Sequence, residues 1–547
     1  MPKVLLTSVF RPFGEPNRFN KAGDEDLLDY LASRLTREPG LFALSSRVPA
    51  SSLHLIAANL PADTRVLETP SVEEFVHELK KGPDYVGIST LIKGFGKVAK
   101  MIALTRKHAP RAKVIVGGFG TALDEIETLG PDYISRGDGV RFMRQLLGAA
   151  PEVKFVHPRV TADITLRVFR DYGFLEKQAM GLITSGFGCP HACDFCSTSA
   201  YFGYRAVPFL EDGQAMYDAM KAQCRESDGR IDNFLIFEED LMLFRRKVEQ
   251  MGELIEQDQE DALGYACFAT VKALSRWDLE QLVAQGFQHV WIGVESMSVP
   301  YKKAEGRDMK QMFDELHAYG VTTTGSMIFG LDHHTPEMLP REVAYLWSLY
   351  PSTAQFGNLI PATGTEARRR LEREGRIRNF DYRESDLFSE VVAHPNFEEG
   401  DLKRATLQAY IELYEAIGPS IYRMFDTWFT GYKNLRNAAR PGLRRRAQVY
   451  ARRVKALRPL FLETGGFLPN DEIRRRVAET VSEVTAEFGP PTVTERGRAE
   501  IYAHVFSLEE AKRRHLEPVV VEPSLSVRDY APVGAPTSAP ALLPMAQ

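Results

Sequence analysis

Cysteine is scarce in this chain of 547 residues: there are five, and none precedes Cys189. A disulfide scaffold suits a small secreted domain without a sufficient core, so this usage excludes one and fits a reducing cytoplasm. Long apolar runs are missing too. None approaches the roughly 20 residues that cross a bilayer. The opening MPKVLLTSVFRPFG lacks a long apolar h-region and a small-residue cleavage site, and reads as a first strand, not a signal peptide. Neither sign of charge dominates. With 68 Lys and Arg against 73 Asp and Glu the formal charge is -5, which gives no reason to expect nucleic acid as a partner. No repeat appears at solenoid periods. These absences leave a soluble, cytoplasmic, multidomain globular protein.

What the chain has in quantity is alternation. In residues 1–150, KVLLTSVF, TRVLET, DYVGIST, KVIVGG and DYISRG read as strands, and SVEEFVHELKKG and GKVAKMIALTRKHAP as helices. The pattern predicts an α/β, Rossmann-like, doubly wound domain with ligands outside the carboxyl ends of its strands. Residues 151–178 read as a linker with a short strand or two. From 179 to 395 alternation resumes, with strands GLITSGF, NFLIFEED, YACFAT, HVWIGVES, TTTGSMIFG and AQFGNLIP. Six strand–helix units in a row predict a partial (β/α)6 barrel with functional residues at its strand ends. Residues 396–530 read as a helical domain, and 531–547, rich in Pro and Ala, as a disordered tail.

Three of the five cysteines, Cys189, Cys193 and Cys196, fall in GFGCPHACDFCSTS (186–199), just after the first strand of the second region. Three thiolates hold three irons of a [4Fe–4S] cluster and leave the fourth open, whereas a cluster that only passes electrons usually has four protein ligands. The competing reading is structural zinc, with His191, Cys224 or Cys267 as fourth ligand. No second CxxC and no HxxxH accompany the loop to favour it.

The spacing C-x3-C-x2-C with Phe195 before the last cysteine resembles the signature of radical S-adenosylmethionine (SAM) enzymes. Four further stretches match that family in order: FLIFEEDLML (234–243), WIGVES (291–296), GSMIFGL (325–331) and LIPATGT (359–365), where Ala362 replaces a usual proline. The resemblance implies that Cys189, Cys193 and Cys196 carry the cluster and that SAM chelates its open iron. It places Phe195 beside the cluster, Glu239 and Asp240 near the SAM amino group, Glu295 and Ser296 near the ribose and carboxylate, and Ile328 and Gly330 at the adenine. The implied chemistry is reductive cleavage of SAM to a 5′-deoxyadenosyl radical, fed by an electron donor such as flavodoxin or ferredoxin. Singly, each acidic or hydroxyl residue could equally be a solvated strand end or a turn.

An αβ domain ahead of such a core resembles the cobalamin (B12)-binding branch of the family, matched by PDYVGIST (83–90), VIVGGFGTA (114–122) and PDYISRGDGV (131–140). Ser89, Thr90, Leu91, Gly117, Gly118 and Gly137 would then flank cobalamin. The Asp-x-His-x-x-Gly motif that supplies an axial histidine is absent, and Gly-Asp-Gly-Val replaces the commoner Gly-Glu-Gly-Glu. A dinucleotide site is the competitor, but GGFGTA lacks the G-x-G-x-x-G spacing and follows a late strand.

By that resemblance the expected reaction is C-methylation of an unactivated carbon in a lipid or natural-product substrate. Radical cyclisation, rearrangement or C–C coupling without methyl transfer is the enzymatic alternative; a metal- or corinoid-binding module without turnover is the non-enzymatic one. A methylthiotransferase would carry further N-terminal cysteines. Asp332, His333 and His334, after the fifth core strand, either position substrate, relay a proton or form a plain loop. Tyr422, Phe425, Trp428, Phe429 and Tyr432 either line an apolar pocket or pack helices. The stretch 433–460 has ten Lys or Arg and no acidic residue; it is either a peripheral membrane contact or a solvated helix face, with Pro441 breaking or starting a helix.

Overall fold

A computed structural model describes residues 1–11, 37–151, 154–169, 178–298, 307–379, 381–513 and 525–533. Parts of the 151–178 linker and all but three residues of the 531–547 tail lie outside them. The chain forms two compact units: Met1–Arg11, Ala50–Pro158 and Ser524–Gln547 make the first, Pro12–Pro49 and Arg159–Pro523 the second.

In the first unit, strands Lys3–Ser8, Asp63–Glu68, Tyr85–Ser89, Lys113–Gly117 and Tyr133–Ser135 pair in parallel in the order second, first, third, fourth, fifth. Their apolar runs, such as Val4–Leu6 and Val114–Val116, are buried, as a sheet covered on both faces requires. Ser71 and Glu74 form a capping box that starts the helix Val72–Leu79. Chain order reverses between the first and third strands, where Ser8 lies beside Ser89, so the ligand crevice of such a fold opens there.

A sixth strand comes from the far end of the chain. Ser526–Tyr530 runs antiparallel along Asp63–Glu68. Arg65 donates to both Asp529 oxygens at 2.6 and 2.8 Å, and the Tyr530 hydroxyl meets His54 Nδ1 at 2.8 Å. The sequence had assigned this stretch to the helical region. Five residues with little apolar pattern beside a Pro-rich segment give too weak a local signal to be read.

The second unit holds the six expected parallel strands in consecutive order: Gln178–Thr184, Asn233–Phe237, Gly264–Phe268, Phe287–Glu295, Thr322–Phe329 and Thr353–Asn358. The first and sixth do not pair, so the sheet is an open partial barrel. Two antiparallel strands extend its first edge, Thr161–Leu166 from the linker and Leu44–Arg47 from the stretch assigned to the first domain.

Five long helices follow: Asp401–Ile417, Ser420–Leu435, Pro441–Leu462, Asp471–Phe488 and Val493–Arg513. Pro441 starts the third of these, where a missing N–H costs nothing. The aromatic group packs helices together: Phe425 lies 5.0 Å from Phe461, and Tyr432 4.8 Å from Phe488, centre to centre. The basic stretch is mostly consumed within the unit. Arg446 donates to the carbonyls of Ala262 and Leu263, each at 2.8 Å, just ahead of the third barrel strand. Arg453 reaches Asn233 and Gln288 at the starts of the second and fourth, and Arg458 pairs with Glu495. From the preceding helix, Arg423 donates to the Pro351 carbonyl at 2.8 Å and pairs with Glu38 at 2.6 Å, both partners fully buried. These helices therefore close the amino-terminal end of the barrel.

Candidate functional site

The carboxyl ends of the six barrel strands lie along one edge of the sheet, so residues distant in sequence are gathered there. After the first strand, Gly186–Phe187 pairs with Val207–Pro208 and pins the base of the cysteine loop. Gly188 has φ +85°, and a Cβ there would strike the Arg205 carbonyl oxygen at 2.1 Å, so only glycine admits the turn. Cys196 caps the helix Ser197–Tyr201, and its N–H donates to the Cys193 carbonyl at 3.1 Å.

No disulfide joins these three cysteines; Cys189 is buried, and Cys193 and Cys196 are partly exposed. Burial pushes the Cys189 thiol up to about 11, and Asp240, Cys196 and Cys193 add to the shift. Such a pocket penalises bare thiolates, and a bound metal cation reverses that penalty outright. A tetrahedral zinc with bonds of about 2.3 Å brings its sulfurs to about 3.8 Å from one another. Among the described residues, the triads of metal-ligating atoms lying within 4.8 Å of one another are His333–His334–Glu342 and Asp258–Glu260–Asp261, not the three thiols.

The second strand delivers Glu238, Glu239 and Asp240. Asp240 Oδ2 receives His191 Nε2 and the Thr270 hydroxyl, each at 2.7 Å. It thereby ties the cysteine loop to the end of the third strand. Its other oxygen, Oδ1, is buried without a partner, as is Glu239 Oε2. Burial raises the Glu239 carboxyl, while the Gly188 N–H opposes that shift. Two orphaned carboxylate oxygens beside three thiols are acceptors waiting for a donor, and an ammonium group is the donor that suits them. Glu238 faces Lys247 at 3.7 Å and burial pushes it up to about 7.

Glu295 ends the fourth strand in a left-handed conformation, φ +63°. The Ser296 hydroxyl donates to Glu342 at 2.8 Å and lies 3.1 Å from His333 Nε2. At the end of the fifth strand, Ile328 joins Phe195 of the cysteine loop in one apolar cluster with Leu331, Leu359 and Ile360. Gly330, with φ +78°, packs against Leu402, whose Cδ1 would lie 2.8 Å from an added Cβ. After the sixth strand, the Ala367 N–H donates to the Asp194 carbonyl at 3.0 Å, closing that end onto the cysteine loop.

The concave face is partly apolar. Gly181 and Phe234 face the helix Gly213–Glu226 through Gln223, so by alternation Leu235 and Phe237 face the other way. Phe237, Phe268 and Trp291 follow one another across three neighbouring strands, with ring centres 6.3 and 5.3 Å apart.

In the first unit the sheet's carboxyl edge carries Ser89, Thr90 and Leu91, Gly117 and Gly118, and Gly137. Leu91 is an exposed apolar side chain. Added methyl groups discriminate among the glycines. At Gly118 one would lie 2.6 Å from the Thr90 carbonyl oxygen, at Gly117 it would make an ordinary contact with Ser135, and at Gly137 it would meet nothing within 4 Å. Gly118 thus serves the packing of Thr90, Gly117 lies in ordinary contact with Ser135, and Gly137 borders open space. Asp138 caps the helix Gly139–Leu146 through Val140 and Arg141.

Sequence reasoning left Thr270 and Glu342 without roles and named His191 only as a fourth ligand in the zinc reading. His191 sits inside the motif and was legible as a polar neighbour; Glu342 lies on an amphipathic helix and only tertiary structure brings it in.

No family model matches the chain. In sequence it is 26% identical over 238 residues to the hopanoid C-2 methylase of Rhodopseudomonas palustris strain TIE-1. That match covers 41% of this chain and 44% of the methylase, so the chain spans less than half the length of this relative. Among solved structures it is similar to TsrM of Kitasatospora setae, a radical S-adenosylmethionine methyltransferase with tryptophan and a SAM analogue bound. Identity is 13%, coverage 94% of this chain and 99% of TsrM, and TM-score 0.48. Another TsrM structure, with cobalamin and a [4Fe–4S] cluster, gives 14% identity over 90% of this chain and all of TsrM, at TM-score 0.47. OxsB, a cobalamin-dependent SAM radical enzyme, gives 12% over 94% of this chain and 84% of its own, at 0.49. TsrM and OxsB are radical SAM proteins that bind or depend on cobalamin, the family whose motifs the cysteine loop and strand ends of this chain resemble.

Proposed function

We propose that the chain is a cobalamin-dependent radical SAM methylase that adds a methyl group to an unactivated carbon of an apolar lipid, of the hopanoid class named by its relative. The observation that carries this reading is the juxtaposition of three cysteine thiols with two buried, unpartnered carboxylate oxygens at the carboxyl end of a six-stranded partial barrel. Cys189, Cys193 and Cys196 would hold a [4Fe–4S] cluster, and Ser89, Thr90, Leu91, Gly117 and Gly137 would flank cobalamin. Bound there, the two groups supply the electron that splits SAM homolytically and the methyl group to be transferred.

The chain's own residues do the positioning. Glu239 Oε2 and Asp240 Oδ1 would accept from the SAM ammonium, and Phe195, Ile328 and Leu359 would give its adenine an apolar seat. His191 and Thr270 hold Asp240 in place, so the carboxylate keeps one oxygen free. Phe237, Phe268 and Trp291 offer a fused hydrocarbon skeleton a flat aromatic wall and keep water from the reacting carbon. Leu91, exposed at a strand end, would offer the corinoid an apolar contact.

Anaerobic turnover with cobalamin, SAM, a reductant and a hopanoid tests the proposal. The expected products are S-adenosylhomocysteine and 5′-deoxyadenosine in step with a lipid heavier by one CH2. Deoxyadenosine without a heavier lipid would point to radical chemistry lacking methyl transfer, and absence of both would overturn the reading.

A further inference from the structure

His333, His334 and Glu342 lie beside the proposed cofactor site but are not part of the cysteine chemistry. Their ligating atoms all fall within 4.8 Å of one another. His334 is 1% exposed, and neither of its ring nitrogens has a hydrogen-bond partner; Nε2 lies 3.9 Å from Glu342 Oε1. A buried imidazole with both nitrogens unused is costly, because each forfeits a bond that water would have supplied.

Glu342 is also 1% exposed, and its carboxylate is held from three sides. The Ser296 and Ser298 hydroxyls donate to Oε1 at 2.8 and 2.7 Å, and the Met297 N–H to Oε2 at 2.6 Å. Carboxylates that ligate metals are characteristically fixed by such outer bonds. The Ser296 hydroxyl, 3.1 Å from His333 Nε2, stands within the same group.

We infer that His333, His334 and Glu342 form a second metal site, for a single divalent ion of the zinc type, distinct from the cysteine cluster. Two imidazoles and one carboxylate leave a fourth, open position. Zinc bonds of about 2.0–2.2 Å would bring the ligand atoms to about 3.3 Å from one another, so the rings need to close by about 1.5 Å at most. The other acidic group that passes the same distance criterion fails on chemistry. Lys221 already sits among Asp258, Glu260 and Asp261, with its ammonium 2.8 Å from Asp258 Oδ2, and supplies the positive charge itself. No lysine or arginine forms an ion pair with Glu342 among the described residues. The ion would join the loop after the fifth strand to the helix Leu339–Ser348 that follows it, whose Glu342 is in turn held by the end of the fourth strand.

The test is metal counting on the full-length protein. Anaerobically purified wild type and Cys189→Ala, His334→Ala and Glu342→Gln variants are washed with chelator, equilibrated with zinc and assayed for zinc and iron. Expected are one zinc per chain in wild type and in Cys189→Ala, the latter with its iron lost. Zinc affinity should fall at least about tenfold in His334→Ala and Glu342→Gln while their iron is retained. The inference is overturned if wild type takes up no zinc, if zinc persists at full affinity in both variants, or if it disappears with Cys189. Should Glu342→Gln or His334→Ala fail to fold by circular dichroism, His333→Ala and the wild-type stoichiometry decide. Zinc and iron are read separately, so failure of this site and failure of the cluster are distinguishable.

Discussion

The two ends of the barrel are built on opposite electrostatic plans. At the amino-terminal end, arginines donate to backbone carbonyls: Arg423 to Pro351, Arg446 to Ala262 and Leu263, Arg445 to Asp258. At the carboxyl end the prominent groups are acceptors and thiols, and two carboxylate oxygens have no partner. In a strand–helix repeat every helix points its carbonyl end toward the start of the next strand and its N–H end toward the finish. Cations are therefore favoured at one end and anionic groups at the other. The amino end spends its polar groups on stability and the carboxyl end leaves some unspent for ligands.

Breaking one end should leave the other's property intact. The largest effect is expected at Cys193: Cys193→Ala should reduce iron from about four per chain to background and abolish deoxyadenosine formation, while the melting temperature of the apoprotein is unchanged. At the opposite end, Arg423→Met removes a fully buried cation from Glu38. It should cost about 3–5 kcal/mol, measurable by urea denaturation, without changing the iron content of protein that remains folded.

Two smaller changes sharpen the contrast. Asp240→Asn weakens the bond from His191 and should lower activity about 10–100-fold, with stability within about 1 kcal/mol. In the lumen, His289 is held by Thr322 and Thr324, and burial pushes its imidazole down to about 4. The unfolded chain then binds the proton more tightly, so this contribution is present above about pH 6.5 and is lost as pH falls toward 4. His289→Gln should flatten the pH dependence of stability between pH 5 and 7 by about 1 kcal/mol, since the ring is partly open to solvent.

Both sheets were legible because their strands are short apolar runs bounded by turns and separated by amphipathic helices. KVIVGG and NFLIFEED could hardly be anything else. The cysteine loop was legible because its chemistry is written in three neighbouring residues. The added strands were not. LSSR at 44–47 and SVRDY at 526–530 have little apolar pattern, and each is a strand only because an edge elsewhere accepts it. The arginines of 433–460 read as surface charge because sequence shows a run of one sign and hides the carbonyls that receive it. Gly118 read as room for a ligand, yet the space it leaves is filled by Thr90.

The strand Ser526–Tyr530 gives the first unit a dependence on synthesis order. Ribosomal translation delivers Met1 first, but the sheet begun by Lys3–Ser8 gains its last member only after more than five hundred further residues have emerged. Until then the strand Asp63–Glu68 presents a bare edge to whatever nascent chain lies nearby. Premature termination anywhere upstream of Ser526 would thus release a product whose first sheet is left adhesive.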